Sequence, residues 1–587
     1  MNKFLLEVSW EVANKVGGIY TVLSEKAHYI KEKFGDDYFV VGPFLKDKGF
    51  QDFYQFLPDE DLGEIINEAE KYGIKIYYGE WLIDGRPKGF LVDFENLKPN
   101  ANAFKYELWE KYKIDSSRVG DDYNEPIVWS KAVSIFLKAF CERFREQKKV
   151  FHFHEWLSGA ALLFLDSDES DANLKTAFTI HATVLGRTLA SADVNFWENL
   201  NSISPDKEIY KFGIEAKYGV EKYASQKASY FTAVSSVLGK EAETFLGRKP
   251  DFILPNGLNF DRFSTNEEIA HAHRKNREIL KEFILFFFAP YYKVDVKNSL
   301  IMFISGRKEI KNKGIDVFIR SLGKLNKILN SGDKNIFVFI FVPDEVYEED
   351  NILRNNLNVY KSIESIIDEM GNELKGRLIN YLIHKKEVSS GSLFSNDEFL
   401  TFKKIFSKVK KDKEIPLSTH KLKSDNQIIG LLKEANLSNK IEDRVRVIYY
   451  PSYINSSDGL LNLNYEDVVS GSHVGVFPSF YEPWGYTPLE TSASGVISVT
   501  TNLTGFADYL KENVKFNNED PGIFILNRTG DNIEKTIDEL TKILSKIAKI
   551  ERPERAHNKQ EARRLAEFCR WENLIKNYFA LYNKAFS

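Results

Sequence analysis

A chain of 587 residues is too long for one hydrophobic core, so two or more domains are expected. Its 80 basic and 85 acidic residues leave a net charge of −5, which argues against a dedicated nucleic-acid or membrane binder, and its longest greasy run, Phe283 to Ala289, falls far short of the ~20 residues of a membrane span. An early acid at Glu7 argues against a secretory leader, and two cysteines, Cys141 and Cys569, cannot build a disulfide framework, so a cytoplasmic location is expected.

Phe4 to Val8 reads as a buried strand, Gly17-Gly18 as a turn, and Ile19 to Phe34 as a helix with a 3.6-residue apolar period. Tyr38 to Val41 is a second buried strand, ending at Gly42-Pro43. Val150 to Phe153, Thr176 to Ile180 and Tyr230 to Val234 follow as short apolar strands separated by helix-like segments, the rhythm of parallel βαβ units. A second set opens with strand Leu300 to Ile304, loop Gly306 to Gly314, helix Ile315 to Leu329 and strand Ile336 to Val342. Val445 to Tyr449, Val474 to Phe477 and Val496 to Thr500 continue it. Two α/β halves, residues 1–260 and 299–545, therefore bracket a connecting segment at 261–298, with terminal helices at 546–587. The expected ligand site is the cleft facing the carboxyl ends of the strands. Between about 346 and 440 the rhythm stops. Tyr360 to Lys375 and Asn396 to Lys413 read as charged helices, the second carrying Lys403, Lys404, Lys408, Lys410, Lys411 and Lys413. Either a solvated helix face or an inserted module for subunit contact accounts for them.

Five constellations carry chemistry. Lys15, Gly17 and Gly18 sit between strand and helix, where close backbone approach, free N–H groups and a cation suit a phosphate; an ordinary turn with a surface lysine accounts for the same residues. His152, His154 and Glu155 end one strand, and His181 with Arg187 follow another. Core histidines and a paired-histidine metal site are the other readings; side chains gripping sugar hydroxyls explain the positions better, and a metal is disfavoured because no cysteine or carboxylate cluster completes a ligand set. Arg307 and Lys313 share one glycine-bounded loop, where two cations neutralise a diphosphate leaving group or join surface salt bridges. The fifth runs from Pro478 to Glu490, where a strand enters a loop with three prolines and the acids Glu482 and Glu490. Pro488 is placed to start a helix, which puts Glu490 in its first turn.

With these residues in view, the chain resembles the eukaryotic-type glycogen synthases along its whole length. The resemblance rests on Glu7-Val8-Ser9-Trp10-Glu11-Val12-Ala13-Asn14-Lys15-Val16-Gly17-Gly18 and on Tyr481-Glu482-Pro483-Trp484-Gly485-Tyr486-Thr487-Pro488. It implies the GT-B architecture: two Rossmann-like domains, an interdomain cleft and C-terminal helices crossing back to the first domain. It implies transfer of glucose from UDP-glucose to the non-reducing end of an α-1,4-glucan such as glycogen, with retention, no metal and no cofactor. Lys15, Arg307 and Lys313 are then expected at the nucleotide diphosphate, and His181 and Arg187 at the donor. Glu482, with the backbone at Trp484 and Gly485, is expected at donor glucose as the main catalytic carboxylate. Gly17, Gly18, His154, Glu155 and Glu490 are expected to line the same cleft. A front-face displacement is the expected mechanism, since Glu482 and Glu490 are not expected to face one another across the sugar as a retaining hydrolase requires.

The resemblance also implies a glucose-6-phosphate site, for which His273, Arg277, His473, Arg555 and Lys559 are the matching candidates. Arg552 is followed by Arg555, Lys559 and Arg563 on one helical stripe after Pro553, diluted by Glu554 and Glu561, for which a surface helix of mixed charge is the other reading, while Glu267 and Ala270 stand where polar contacts are expected. The sequence starts at the first strand and stops at Ser587, so control through phosphorylated termini is not expected. The insertion stands where the family builds a homotetramer, and a protein-linked glucan is a candidate primer. Rival readings are a GT-B enzyme using ADP-glucose or a small acceptor, and a catalytically silent glucan-binding protein. A dinucleotide oxidoreductase is disfavoured because the first glycine loop lacks the spaced G-x-G-x-x-G pattern.

Overall fold

The computed structural model describes residues 3–165, 171–265, 267–384, 387–423, 425–517, 519–530 and 532–587. Within them the first half builds a nine-stranded sheet. Its strands are β1 (Lys3–Val8), β2 (Tyr38–Pro43), β3 (Phe53–Gln55), β4 (Lys75–Trp81), β5 (Lys88–Asp93), β6 (Lys148–His154), β7 (Leu174–Ile180), β8 (Tyr230–Ala233) and β9 (Phe252–Ile253). Their order is β3-β4-β5-β2-β1-β6-β7-β8-β9. From β5 to β9 every pairing is parallel, which requires both faces to be covered and explains the near-continuous apolar runs. Side chains on β1 alternate between the two covers: Phe4, Leu6 and Val8 pack into one core and Leu5 into the other. β3 and β4 add an antiparallel edge that the sequence reading missed, because polar and apolar residues mix along them. Gly42 and Pro43, expected to close a strand, lie inside β2.

The second half builds a six-stranded parallel sheet in the order β14-β11-β10-β15-β16-β17. It comprises β10 (Ser299–Ser305), β11 (Asn335–Phe341), β14 (Val445–Tyr450), β15 (Val474–Val476), β16 (Ile497–Thr501) and β17 (Ile523–Leu526). A separate antiparallel pair, β12 (Val346–Glu349) with β13 (His420–Leu422), roots the insertion. The insertion holds helices Asn351–Glu369, Gly371–Ile383 and Asn396–Phe406. The last stops seven residues short of the expected Lys413, so Lys408, Lys410, Lys411 and Lys413 lie beyond it rather than on a helix face. The loop expected from Gly306 to Gly314 contains a helical turn at Ile310–Lys313.

Two connections differ from expectation. Helix Ile269–Phe288 joins the second core: Leu280, Phe283 and Ile284 pack with Ile301, Phe303 and Phe339. Helix Arg552–Ala566 also stays with the second half, against Gly522 and the helix after Gly485. Only then does helix Trp571–Ala585 cross back, burying Trp571, Tyr578 and Tyr582 against β1 and the helix Gly18–Phe34. Gly257 permits the crossing, because a Cβ there would stand 2.3 Å from the Trp571 ring. Both cysteines are free thiols. No described helix is long and apolar enough to cross a membrane.

Candidate active site

The carboxyl ends of the two sheets face each other, and the predicted motifs occupy the loops there. Around β1, the turn is shaped by a residue the sequence reading passed over. Glu11 is nearly buried, and its carboxylate accepts from the N–H groups of Gly17 and Tyr20, both at 2.8 Å. Those donors of the helix Gly18–Phe34 are therefore not free, contrary to expectation. Burial pushes the Glu11 carboxyl up; the two N–H groups, Arg307 and Arg187 oppose that. Lys15 is exposed, with Nζ 5.7 Å from the centre of the Tyr20 ring. An acid just before a helix start was the available signal for Glu11.

Across the cleft, β10 ends at Ser305 and Gly306 turns the chain with φ +156°. Arg307 is well exposed and pairs with Glu309 at 2.9 Å. Gly314 has φ +69°, and a Cβ there would stand 2.0 Å from the carbonyl oxygen of Pro478. The 306–314 loop thus lies directly on the 478–486 loop, and Phe480 N donates to Asn312 O at 2.8 Å. Arg528, buried, donates to the carbonyls of Pro478 and Lys311 and ties both loops down. This clamp delivers Lys313 Nζ onto Glu482 Oε2 as an ion pair. Trp484 is buried, and Gly485 (φ +111°) caps the helix Tyr486–Ala493. Pro488 is therefore the third helical residue, and Glu490 lies in the second turn, not the first. Glu490 faces Arg262 at 3.8 Å, and burial pushes its carboxyl up to about 7 against the pull of Arg262.

The third wall is the end of β6 and β7. Glu155 takes φ +66°, a strained conformation for a non-glycine, and its Oε1 accepts from the N–H groups of His181 at 2.9 Å and Ala182 at 3.0 Å. His181 is partly exposed, and Arg187 is exposed one turn further along the helix Val184–Ser191. Glu155, Trp156, Thr183, Arg187 and Lys217 line a cavity of about 220 Å³. His154 departs from expectation: it is buried behind the cleft, touching His181 from below at 3.2 Å. His152 is also buried, between Tyr582 OH at 2.9 Å and Thr179 Oγ1 at 2.6 Å. A carboxylate does join the two histidines, namely Glu7, but Lys26 already supplies the counter-charge there.

The halves are pinned together beside the reactive groups. Tyr481, next to Glu482, sends its hydroxyl into the first half, where it donates to Glu241 Oε1 at 2.8 Å and accepts from Thr183 N at 3.0 Å. Trp197 Nε1 donates to Phe480 O at 3.2 Å, and Asn312 Nδ2 to Ser191 Oγ at 2.8 Å.

His273, Arg277, His473, Arg555 and Lys559 converge on a second, separate cavity of about 550 Å³, which Ala270, Arg274, Lys281 and Arg552 also line. Lys559 is pushed well below its usual range by burial, then by Arg277 and Arg555; Arg277 falls to about 10 by burial and Arg555. Such uncompensated cations favour an anionic ligand. Arg563 leaves the stripe, donating to Ala493 O at 2.7 Å, and Glu561 pairs with Arg564, so neither belongs to the cavity. The acid that does line it is Glu278.

Two apposed, largely parallel sheets with a cationic, carboxylate-bearing cleft are the architecture of a GT-B glycosyltransferase. The fold is shared with the catalytic domain of starch synthase IV from Arabidopsis thaliana (TM-score 0.51, 13% identity, 100% of each chain). It is shared equally with a UDP-forming trehalose-phosphate synthase from Burkholderia xenovorans (TM-score 0.51, 10% identity, 100% of each chain). Residues 7–587 match the glycogen synthase family model, and the chain belongs to that family. It is 35% identical to glycogen [starch] synthase of Dictyostelium discoideum over 98% of this chain and 65% of that protein. Identity is 34% to the Neurospora crassa enzyme (98% and 83%) and 32% to the human liver enzyme (98% and 82%).

Proposed function

We propose that the protein transfers glucose from UDP-glucose to the non-reducing end of an α-1,4-glucan with retention of configuration. The observation that carries this reading is the Lys313–Glu482 ion pair, held by two interlocked loops, with Arg187 of the other half near enough to feel the Glu482 charge. In the proposed reaction, Arg307 and Lys313 hold the diphosphate as the bond from the anomeric carbon to phosphate oxygen breaks. Glu482, released from Lys313 by the competing diphosphate, stabilises the positive charge that grows on the sugar. The acceptor hydroxyl attacks from the same face and passes its proton to the departing phosphate oxygen. Glu490 is paired with Arg262 while Glu482 is paired with Lys313, and these separate partners support the single-carboxylate, front-face route. No cofactor or metal is needed for these steps.

The proposal extends to three further points. Glucose-6-phosphate binds the basic cavity around Lys559 and activates the enzyme, supported by its uncompensated cations. The protein is a cytoplasmic homotetramer built through the insertion, supported by the exposed apolar residues Ile379, Leu382, Ile383, Leu400 and Phe406 there. Glycogen or a protein-linked glucan serves as primer. The test is incorporation of labelled glucose into glycogen from UDP-glucose, beside ADP-glucose, with and without glucose-6-phosphate. Incorporation from UDP-glucose supports the reading. Incorporation only from ADP-glucose, or from neither donor by folded protein, rejects it in favour of another donor or of a silent glucan-binding protein.

A further inference from the structure

Glu7 lies on β1 opposite His152 of β6 and has no solvent exposure. Lys26 Nζ forms an ion pair with it. Tyr38 OH donates to Oε2 at 2.7 Å, and Tyr582 OH, from the helix Trp571–Ala585, donates to Oε1 at 3.1 Å. His154 Nε2 lies 3.2 Å from the same Oε1. The other nitrogen of that ring, Nδ1, lies 3.2 Å from His181 Nε2. The row thus runs from a buried carboxylate, through a buried imidazole, to a histidine at the cleft. No described residue pairs with the remaining nitrogen, His181 Nδ1.

The protons along this row are determined. Burial pushes the Glu7 carboxyl up, but Lys26 and the two neighbouring imidazoles hold it well below the usual range, so it is ionised and can only accept. Burial brings His154 down to about 3, and burial of its ring together with the neighbouring imidazoles, Lys26 and Arg187 holds His181 well below its usual range, so both are neutral. A neutral imidazole carries one N–H. His154 must therefore place its proton on Nε2, toward Glu7, leaving Nδ1 as an acceptor. His181 must then carry its proton on Nε2, toward His154, leaving Nδ1 as a lone pair. Which ring nitrogen is protonated is set by the partner of the other.

We propose that Glu7 is a positioning residue for the transfer reaction: acting through His154, it fixes His181 in the tautomer whose Nδ1 accepts a hydrogen bond from a hydroxyl of the bound sugar. This rests on the nucleotide-sugar reading above. Replacing the Glu7 carboxylate lets the row reverse, and His181 Nδ1 then donates an N–H, so the sugar hydroxyl is forced to accept there and can no longer donate its own proton to the ring. A wrong tautomer with intact geometry is a known route to large losses in catalysis. Tyr582 brings the crossing helix into the same row, so the C-terminus contributes to the site from behind it.

The test is a double-mutant cycle on kcat/KM. Glu7→Gln alone strands a buried lysine, so it is combined with Lys26→Met; Tyr582→Phe serves as the milder change that keeps the ion pair. The combined change is expected to lower kcat/KM by about ten- to hundredfold, as orienting groups behind a reactive side chain do. On a His181→Ala background the same change is expected to cost less than about twofold. Equal losses on both backgrounds mean a purely structural role and overturn the proposal. If the combined variant does not fold, Tyr582→Phe runs the same cycle with an expected loss of about threefold, and equal losses again overturn it. Neutron diffraction from deuterated wild-type crystals reads the row without any assay. Deuterium on Nε2 of both His154 and His181 supports the proposal, and deuterium on His181 Nδ1 overturns it. Because that reading needs no turnover, failure of the relay is told apart from failure to find sugar transfer.

Discussion

Lys313 and Glu482 are each other's partner in this structure, and in the proposed reaction an arriving diphosphate takes over Lys313. Lys313→Met is expected to lower kcat by about 10²–10³, the usual cost of one lost group at a site of developing charge. Steady-state kinetics with saturating donor checks this, and a change in KM alone counts against it. A second residue-level prediction concerns Glu241, whose carboxyl burial pushes up from 4.5 to about 7 against the pull of Thr183 and Tyr481. The folded protein then binds more protons than the unfolded chain between those values, so stability falls as pH rises through that window. Glu241→Gln keeps the acceptor oxygen and removes the titration. Its melting temperature is expected to exceed wild type most above pH 7, by up to roughly 3 kcal/mol in stability, and the gap to close toward pH 4.5. A pH-independent gap contradicts this. Glu482 was legible in the sequence because prolines and aromatics crowd around it. Glu7 and Glu241 were not, because a single acid in a strand or helix has no spacing to announce it, and Glu11 showed only its place in the turn before a helix. Glu7 did leave a trace: an ionisable residue inside an otherwise apolar strand is rarely fully buried unless paired.

At the scale of elements, most parallel strands were legible because strands buried on both faces spell themselves as apolar runs, although the short parallel strands β5 and β17 were passed over. The edge strands β3 and β4 were missed for the converse reason. The helix ending at Phe406 was over-extended because neither glycine nor proline follows before Pro416, so nothing in the lysine-rich stretch marked the stop. Helix Arg552–Ala566 showed its stripe in the sequence, but only packing shows that Arg563 turns away from the other cations. Ligand binding to that cavity stabilises the fold by mass action. At about 100-fold the dissociation constant, glucose-6-phosphate is expected to add about 2.7 kcal/mol, and Lys559→Met with Arg555→Ala to abolish the gain. An undiminished thermal shift in that variant rejects the cavity as the site.

For the molecule as a whole, the two halves meet where the chemistry is proposed. Tyr481 joins them one residue from Glu482, and Thr183 and Glu241 receive it two residues from His181 and behind Arg187. The contact that joins the two halves therefore also fixes the backbone that carries Glu482. Tyr481→Phe removes the hydroxyl but keeps the ring, and leaves Glu241 and Thr183 N short of a partner. It is expected to widen the molecule in small-angle scattering and to lower kcat about tenfold, the cost of one or two buried hydrogen bonds; an unchanged radius with unchanged kcat contradicts this. Such contacts between distant segments have no local pattern, which is why the domain rhythm was legible in the sequence and the latch was not.

The central claim, that this cleft transfers glucose with Glu482 at the reacting carbon, is tested most directly by one comparison. Labelled glucose incorporation from UDP-glucose into glycogen is measured for wild type and Glu482→Gln, with donor affinity determined by calorimetry. The account predicts incorporation by wild type and at least about a hundredfold lower kcat for the variant, with the diphosphate still bound. A variant that keeps near-full kcat would contradict it.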